Sequence, residues 1–209
     1  MRLKGLLRLS RAIDKLNSGI GHVVAWGILA AVLISAANAI VRKIWNVSSN
    51  SWLEIQWILF GAVFLLCSAW TLLSNEHIRI DIVNNALPKR VRDIIDVFGH
   101  LIFLMPMTFV LAYLSWPFFW LSLTQNEQST NAGGLPVYPA KLLIPLAFTL
   151  LFVQAISELI KRIAIIGGQL QDTVSGGGHH DAASAEAERL IEAAKAEAEQ
   201  RSDVTQASR

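Results

Sequence analysis

The chain reads as an all-α integral membrane protein with four transmembrane helices and both termini cytoplasmic. Three observations lead there. First, of 209 residues 53% are hydrophobic and only 16% are charged, whereas an average soluble domain carries about 25% charged residues. Second, the apolar residues gather in four runs, each long enough to cross a hydrocarbon core of about 30 Å at ~1.5 Å rise per residue. None reads as an alternating barrel strand. Third, Lys and Arg are placed asymmetrically. Arg2, Lys4, Arg8, Arg11 and Lys15 precede the first run, Arg79, Lys89, Arg90 and Arg92 fill the second loop, and Lys161 and Arg162 end the fourth run. The other two loops hold Arg42, Lys43 and Lys141. Basic loops stay cytoplasmic, which fixes the orientation.

The elements follow in order. Residues 1–18 form a basic amphipathic segment in which Leu3, Leu6, Leu7 and Ile13 alternate with the five basic residues. This composition suits a helix lying on an anionic inner leaflet, so membrane lipids are a partner. Residues 19–168 form the membrane domain, with helices predicted at about 20–41, 52–73, 94–123 and 140–163. The first run follows basic residues and contains Ala37-Asn38-Ala39, a small-residue triplet that resembles a signal-peptide cleavage site. It is longer than a typical signal core and is read as a retained helix. The third run is long and must tilt or protrude. Asn84–Asp96 carries Leu87, Val91, Ile94 and Ile95 at helical spacing, with Pro88 suited to a first turn. Trp45, Trp52, Trp57, Trp116, Trp120 and Tyr138 mark an outer aromatic belt, and Trp26 and Trp70 an inner one. Residues 169–209 form a flexible, polar, partly helical cytoplasmic tail, broken at Gly176-Gly177-Gly178. Its Ala/Glu-rich stretch has too few large apolar residues to fold alone.

Several chemistries are excluded. The single cysteine, Cys67, permits no disulfide framework and no cysteine-cluster metal site. No nucleophile–base pair, phosphate-cradling motif or metal-ligand spacing occurs, so neither an enzyme nor a resident cofactor is expected. The charge pattern offers nothing for nucleic acid. Polar groups within the spans are functional candidates by default. Glu158 reads as a local ion pair with Lys161 and Arg162. Glu54 and Gln56 open the second helix, where Glu54 either favours the helix N-terminus or faces a partner helix. His22 and His100 fall toward the inner side and are the best pair for the alternative function, a haem-binding membrane anchor of a redox enzyme. The outer loop, residues 128–141, combines Gly133-Gly134 with Pro136 and Pro139 and ends in Lys141. That combination gives a stiff contact surface rather than a catalytic loop.

From Ile20 to Arg162 the order of motifs resembles the small membrane subunit of tripartite ATP-independent periplasmic (TRAP) transporters. Trp52-Leu53-Glu54 opens the second helix. Cys67-Ser68-Ala69-Trp70-Thr71-Leu72 leads to His77-Ile78-Arg79-Ile80-Asp81-Ile82, and Ser115-Trp116-Pro117 closes the third helix. Gly133-Gly134-Leu135-Pro136 looks most like the mannitol/chloroaromatic branch. The resemblance implies a scaffold subunit in a bacterial inner membrane. It would bind a large permease subunit that holds the solute and sodium sites, and a periplasmic solute-binding protein would deliver the solute. By motif position it implies structural or interface roles for Glu54, Trp57, Ala69, His77, Arg79, Asp81, Gly134, Pro136 and Lys141. Small residues such as Ala69 permit close helix packing.

Overall fold

The computed structural model describes residues 2–47, 49–74 and 88–167. The tail from residue 168 onward lies outside the described residues, as do residues 75–87 and with them His77, Arg79 and Asp81.

Helix α1 runs unbroken from Arg2 to Trp45. At ~1.5 Å per residue it is about 66 Å long, twice the hydrocarbon core. The basic amphipathic segment and the first span, expected as separate elements, are therefore one helix. Nothing between Ser18 and Gly21 stops it, because two isolated glycines cost a helix only ~1 kcal/mol each.

The second span is α2 (Asn50–Leu66) continued by α3 (Ser68–Leu73). Between them Cys67 is not helical, but the backbone ladder continues through it. Its N–H donates to Val63 O (3.0 Å) and its O accepts from Thr71 N–H (2.8 Å). Ser68 Oγ also donates to Leu65 O (2.6 Å) and Thr71 Oγ1 to Cys67 O (3.0 Å). Hydroxyls that bond back to the preceding turn in this way bend helices locally.

Helix α4 (Lys89–Gly99) leads through a π-helical turn (His100–Leu104) into α5 (Met105–Thr124). Pro106 has no N–H to return to the preceding turn, and Thr108 Oγ1 donates to Leu104 O (2.7 Å) in its neighbourhood. Asn126, in the left-handed region at φ 46°, ends α5. Helix α6 (Tyr138–Ile166) completes four helices long and apolar enough to span a membrane.

Helix α6 is the centre of the body. α1, α2, α3, α4 and α5 all pack on it, and α1 also packs on α2 and α3. It allows this because its buried face is small and polar: Ala147, Gln154, Ala155, Ser157 and Ala164. The large side chains face outward instead, including Phe64 at 76% and Val23 at 73% exposed. A water-soluble protein would bury them, and lipid reverses that preference. Helices α1 and α3 meet at Gly21 and Trp70. A Cβ on Gly21 would lie 2.7 Å from the Trp70 ring, and that ring also packs on His22 with centroids 4.6 Å apart.

Candidate functional site

Two polar clasps close the ends of the bundle. At the outer end the loop between α5 and α6 is wrapped around one carboxylate. Glu54, on the first turns of α2, is 2% exposed. Its Oε1 accepts from Ser129 Oγ and from Asn131 Nδ2 (2.8 Å), and its Oε2 from the Leu135 N–H (2.6 Å). Asn50 Nδ2 donates to Ala132 O (2.9 Å) and Ser51 Oγ to Gly133 O. Within the loop, Ser129 N–H donates to Leu135 O (3.0 Å) and Gly134 N–H to Asn131 O (2.9 Å).

The two glycines are needed for different reasons. Gly133 sits at φ 69°, where a side chain is strained. Gly134 leaves the room that the carboxylate occupies, since a Cβ there would lie 2.7 Å from Glu54 Oε1 and 2.6 Å from Ser129 Cβ. Glu54 thus organises the loop, a third option beside the helix N-terminus and a partner helix. Gln56 takes no part in the cradle.

Lys141 also turns inward. It pairs with Glu127 and lies 4.2 Å from the Phe118 ring centroid. The hydrogen bond from Lys141 holds the Glu127 carboxyl below the usual carboxylate range. Pro136 is half-buried in the same loop and bridges back to Gln128.

At the inner end, α1 and α6 are joined side by side. Ser10, Asp14 and Asn17 recur at i, i+4 and i+7 on α1. Gln154, Ser157, Glu158 and Lys161 recur at i, i+3, i+4 and i+7 on α6. Asn17 Nδ2 donates to Gln154 Oε1 (2.7 Å), and Gln154 Nε2 donates to Asp14 Oδ1 (2.9 Å) and Glu158 Oε1 (3.0 Å). Ser157 Oγ lies 2.7 Å from Ser10 Oγ and donates to Asp14 Oδ1 (2.8 Å). Lys161 bridges Asp14 (3.1 Å) and Glu158. Arg162 reaches Asp96 on α4 (3.1 Å).

The local ion pair expected of Glu158 with both Lys161 and Arg162 is therefore half right. Lys161 also ties two helices together, and Arg162 belongs to a different pair. Sequence reasoning missed Ser10, Asp14, Asn17, Gln154 and Ser157. The available signal was their spacing, which places matching polar stripes on two helices.

Ala69 is 1% exposed and packed inside the chain. Trp57 is 56% exposed, in a row with Phe60 and Phe64 at i, i+3 and i+7. It is the one expected residue within the described chain whose side chain points away from the body. His22 and His100 lie on segments that share only α6 as a neighbour. His22 is on α1, which packs on α2, α3 and α6, whereas the turn holding His100 packs on α4, α5 and α6. Each ring Nδ1–H donates to the carbonyl four residues back, Ser18 O and Asp96 O, at 2.7 Å in both cases.

The family model described as tripartite ATP-independent periplasmic transporters, DctQ component, matches residues 31–164, more than half of the chain. The chain belongs to this DctQ family. It is thus a small component of a TRAP transporter, a multi-pass membrane protein of transport rather than a member of an enzyme family. The match is to the family as a whole and does not extend to the mannitol/chloroaromatic branch. No curated protein and no solved structure matches the chain. The matched range takes in the Glu54 cradle and most of α6, and it begins after the α1 half of the inner clasp.

Proposed function

We propose that this DctQ chain is the fixed scaffold of a secondary transporter in a bacterial inner membrane, with its termini cytoplasmic. It binds and anchors a large permease subunit. The assembly takes up a small organic solute, an organic acid in our reading, driven by an ion gradient, and a periplasmic solute-binding protein delivers that solute.

One observation carries the scaffold reading. The described carboxylates of the helical body, Asp14, Glu54, Asp96 and Glu158, are all engaged by the chain's own residues. A carrier that binds solute and ion alone keeps polar groups available at mid-membrane, commonly on broken helices. This body engages its described carboxylates in holding itself together. Trp57, Phe60 and Phe64 then supply the α2 face for the large subunit.

The test is co-purification. The chain should bring down the large permease subunit encoded with it, and its deletion should abolish uptake. Solute transport by the isolated chain in liposomes would overturn the scaffold reading. Trp57→Ala with Phe60→Ala should weaken co-purification while leaving the chain's own thermal stability nearly unchanged. Undiminished co-purification would remove the α2 face from the proposal.

A further inference from the structure

We propose that the inner end of α1 carries an anionic-phospholipid headgroup site formed by Arg8, Arg11 and Lys15. This stands apart from the scaffold role and does not require the permease subunit.

The register between helices sets the depth. Gly21 faces Trp70 and Gly27 faces Val63, so α1 runs antiparallel to α2–α3. The end of α3 at Leu73 then falls level with Asn17. The second span, Asn50–Leu73, has 24 residues. That is about 36 Å against a core of about 30 Å, so the hydrocarbon boundary lies within about a turn of this level. At ~1.5 Å per residue, Lys15 stands about 3 Å and Arg8 about 13 Å beyond Asn17. The headgroup layer is about 5–8 Å thick on each side. Lys15 thus stands within that layer, Arg11 at its outer edge and Arg8 beyond it, where long side chains reach back toward the phosphates.

The inner clasp also changes how the segment meets the membrane. Ser10, Asp14 and Asn17 are bonded to α6, which holds α1 upright rather than flat on the surface. This leaves α1 three distinct faces: a polar one on α6, an exposed basic one at Arg8, Arg11 and Lys15, and an exposed apolar one at Leu9 and Leu16.

Charge decides the occupant. Asp14 and Glu158 are engaged by Lys161, and Asp96 by Arg162. Arg8, Arg11 and Lys15 have no acidic partner among the described residues, and Arg11 Nε only returns to Leu7 O (3.3 Å). An end whose described acids are engaged internally presents a cationic stripe that begins at the depth of the phosphates. Arg and Lys beside an apolar stripe suit a lipid phosphate with its acyl chains alongside.

The experiment uses the full-length chain in detergent, incubated with equimolar phosphatidylglycerol and phosphatidylcholine, with retained lipids counted by native mass spectrometry. The chain should retain phosphatidylglycerol preferentially, and the preference should fall as salt is raised. Arg8→Gln/Arg11→Gln/Lys15→Gln should reduce the preference on the order of tenfold, since each basic group near an anionic surface contributes about fivefold at most. Arg8→Lys/Arg11→Lys should retain it, as should Arg42→Gln/Lys43→Gln at the opposite end. Circular dichroism checks that each variant keeps its helix content. No preference in the unaltered chain, salt independence, or full preference in the triple variant would overturn the site. So would loss of the large subunit from the triple variant with lipid preference unchanged, which would put a protein there instead.

Discussion

The outer and inner clasps hold the same bundle by opposite strategies. At the outer end, one carboxylate gathers a loop. Glu54 accepts three hydrogen bonds, and the positions around it are shaped to its presence. At the inner end seven side chains on two helices share the work: Asp14 also accepts three bonds there, but its donors Gln154, Ser157 and Lys161 each have a second partner in Asn17, Ser10 or Glu158. A hub is specific and brittle. A distributed seam tolerates the loss of one member, because its neighbours can re-pair.

The largest effect is expected from Glu54→Leu. It leaves the Leu135 N–H, the Ser129 hydroxyl and the Asn131 amide without their acceptor. Protease cleavage within residues 128–136 should rise on the order of tenfold or more, while helix content is retained. An unchanged cleavage rate would mean that the loop holds itself and the hub description is wrong.

Gly134→Ala comes next. It forces a methyl group against Glu54 and Ser129 and should cost about 1–3 kcal/mol, read as a lowered melting temperature in detergent. With Glu54→Leu already present, most of that cost should be absent.

Gln154→Leu probes the seam and should cost less, roughly 1 kcal/mol, in line with interhelical hydrogen bonds in membranes. A collapse of the bundle on this single change would erase the contrast between the two ends.

The smallest effect concerns pH. The Glu127 carboxyl is held low by Lys141, so the pair stabilises the loop above the ordinary carboxylate pKa. That contribution is lost as pH falls below the ordinary carboxylate range and through the lowered value. Loop cleavage should therefore rise in acid in the unaltered chain, and this acid-dependent rise should be smaller in Lys141→Met, where only the Glu54 carboxylate is left to protonate.

The sequence made some of this readable and hid the rest, for physical reasons. Apolar runs between Ile20 and Ile160 reveal spans because hydrocarbon thickness sets a length that composition alone can meet. The loop from Ser129 to Lys141 was recognisable as stiff from its glycines and prolines. What organises it was not, because Glu54 lies more than seventy positions away, and a lone carboxylate near a helix start has several possible partners. The inner seam was harder. Ser10, Asp14 and Asn17 sit among basic residues that dominate the composition, so the segment reads as a surface helix. The serines of a polar stripe carry little hydropathy signal even when fully buried. Continuity of α1 was missed for a related reason. A change from polar to apolar looks like a boundary between elements, yet it marks only where one helix enters the membrane.

One feature of the packing bears on how the protein is made. Every other described helix rests on α6, and α6 is the last described span in chain order. When Thr124 has been synthesised, α1 and α2 can already pair, but among the described elements α5 has no extensive interface except with α6 and the turn beside it. The first three spans therefore leave the insertion machinery as a half-assembled set. A chain cut short before Tyr138 therefore lacks the axis on which the other described helices are assembled.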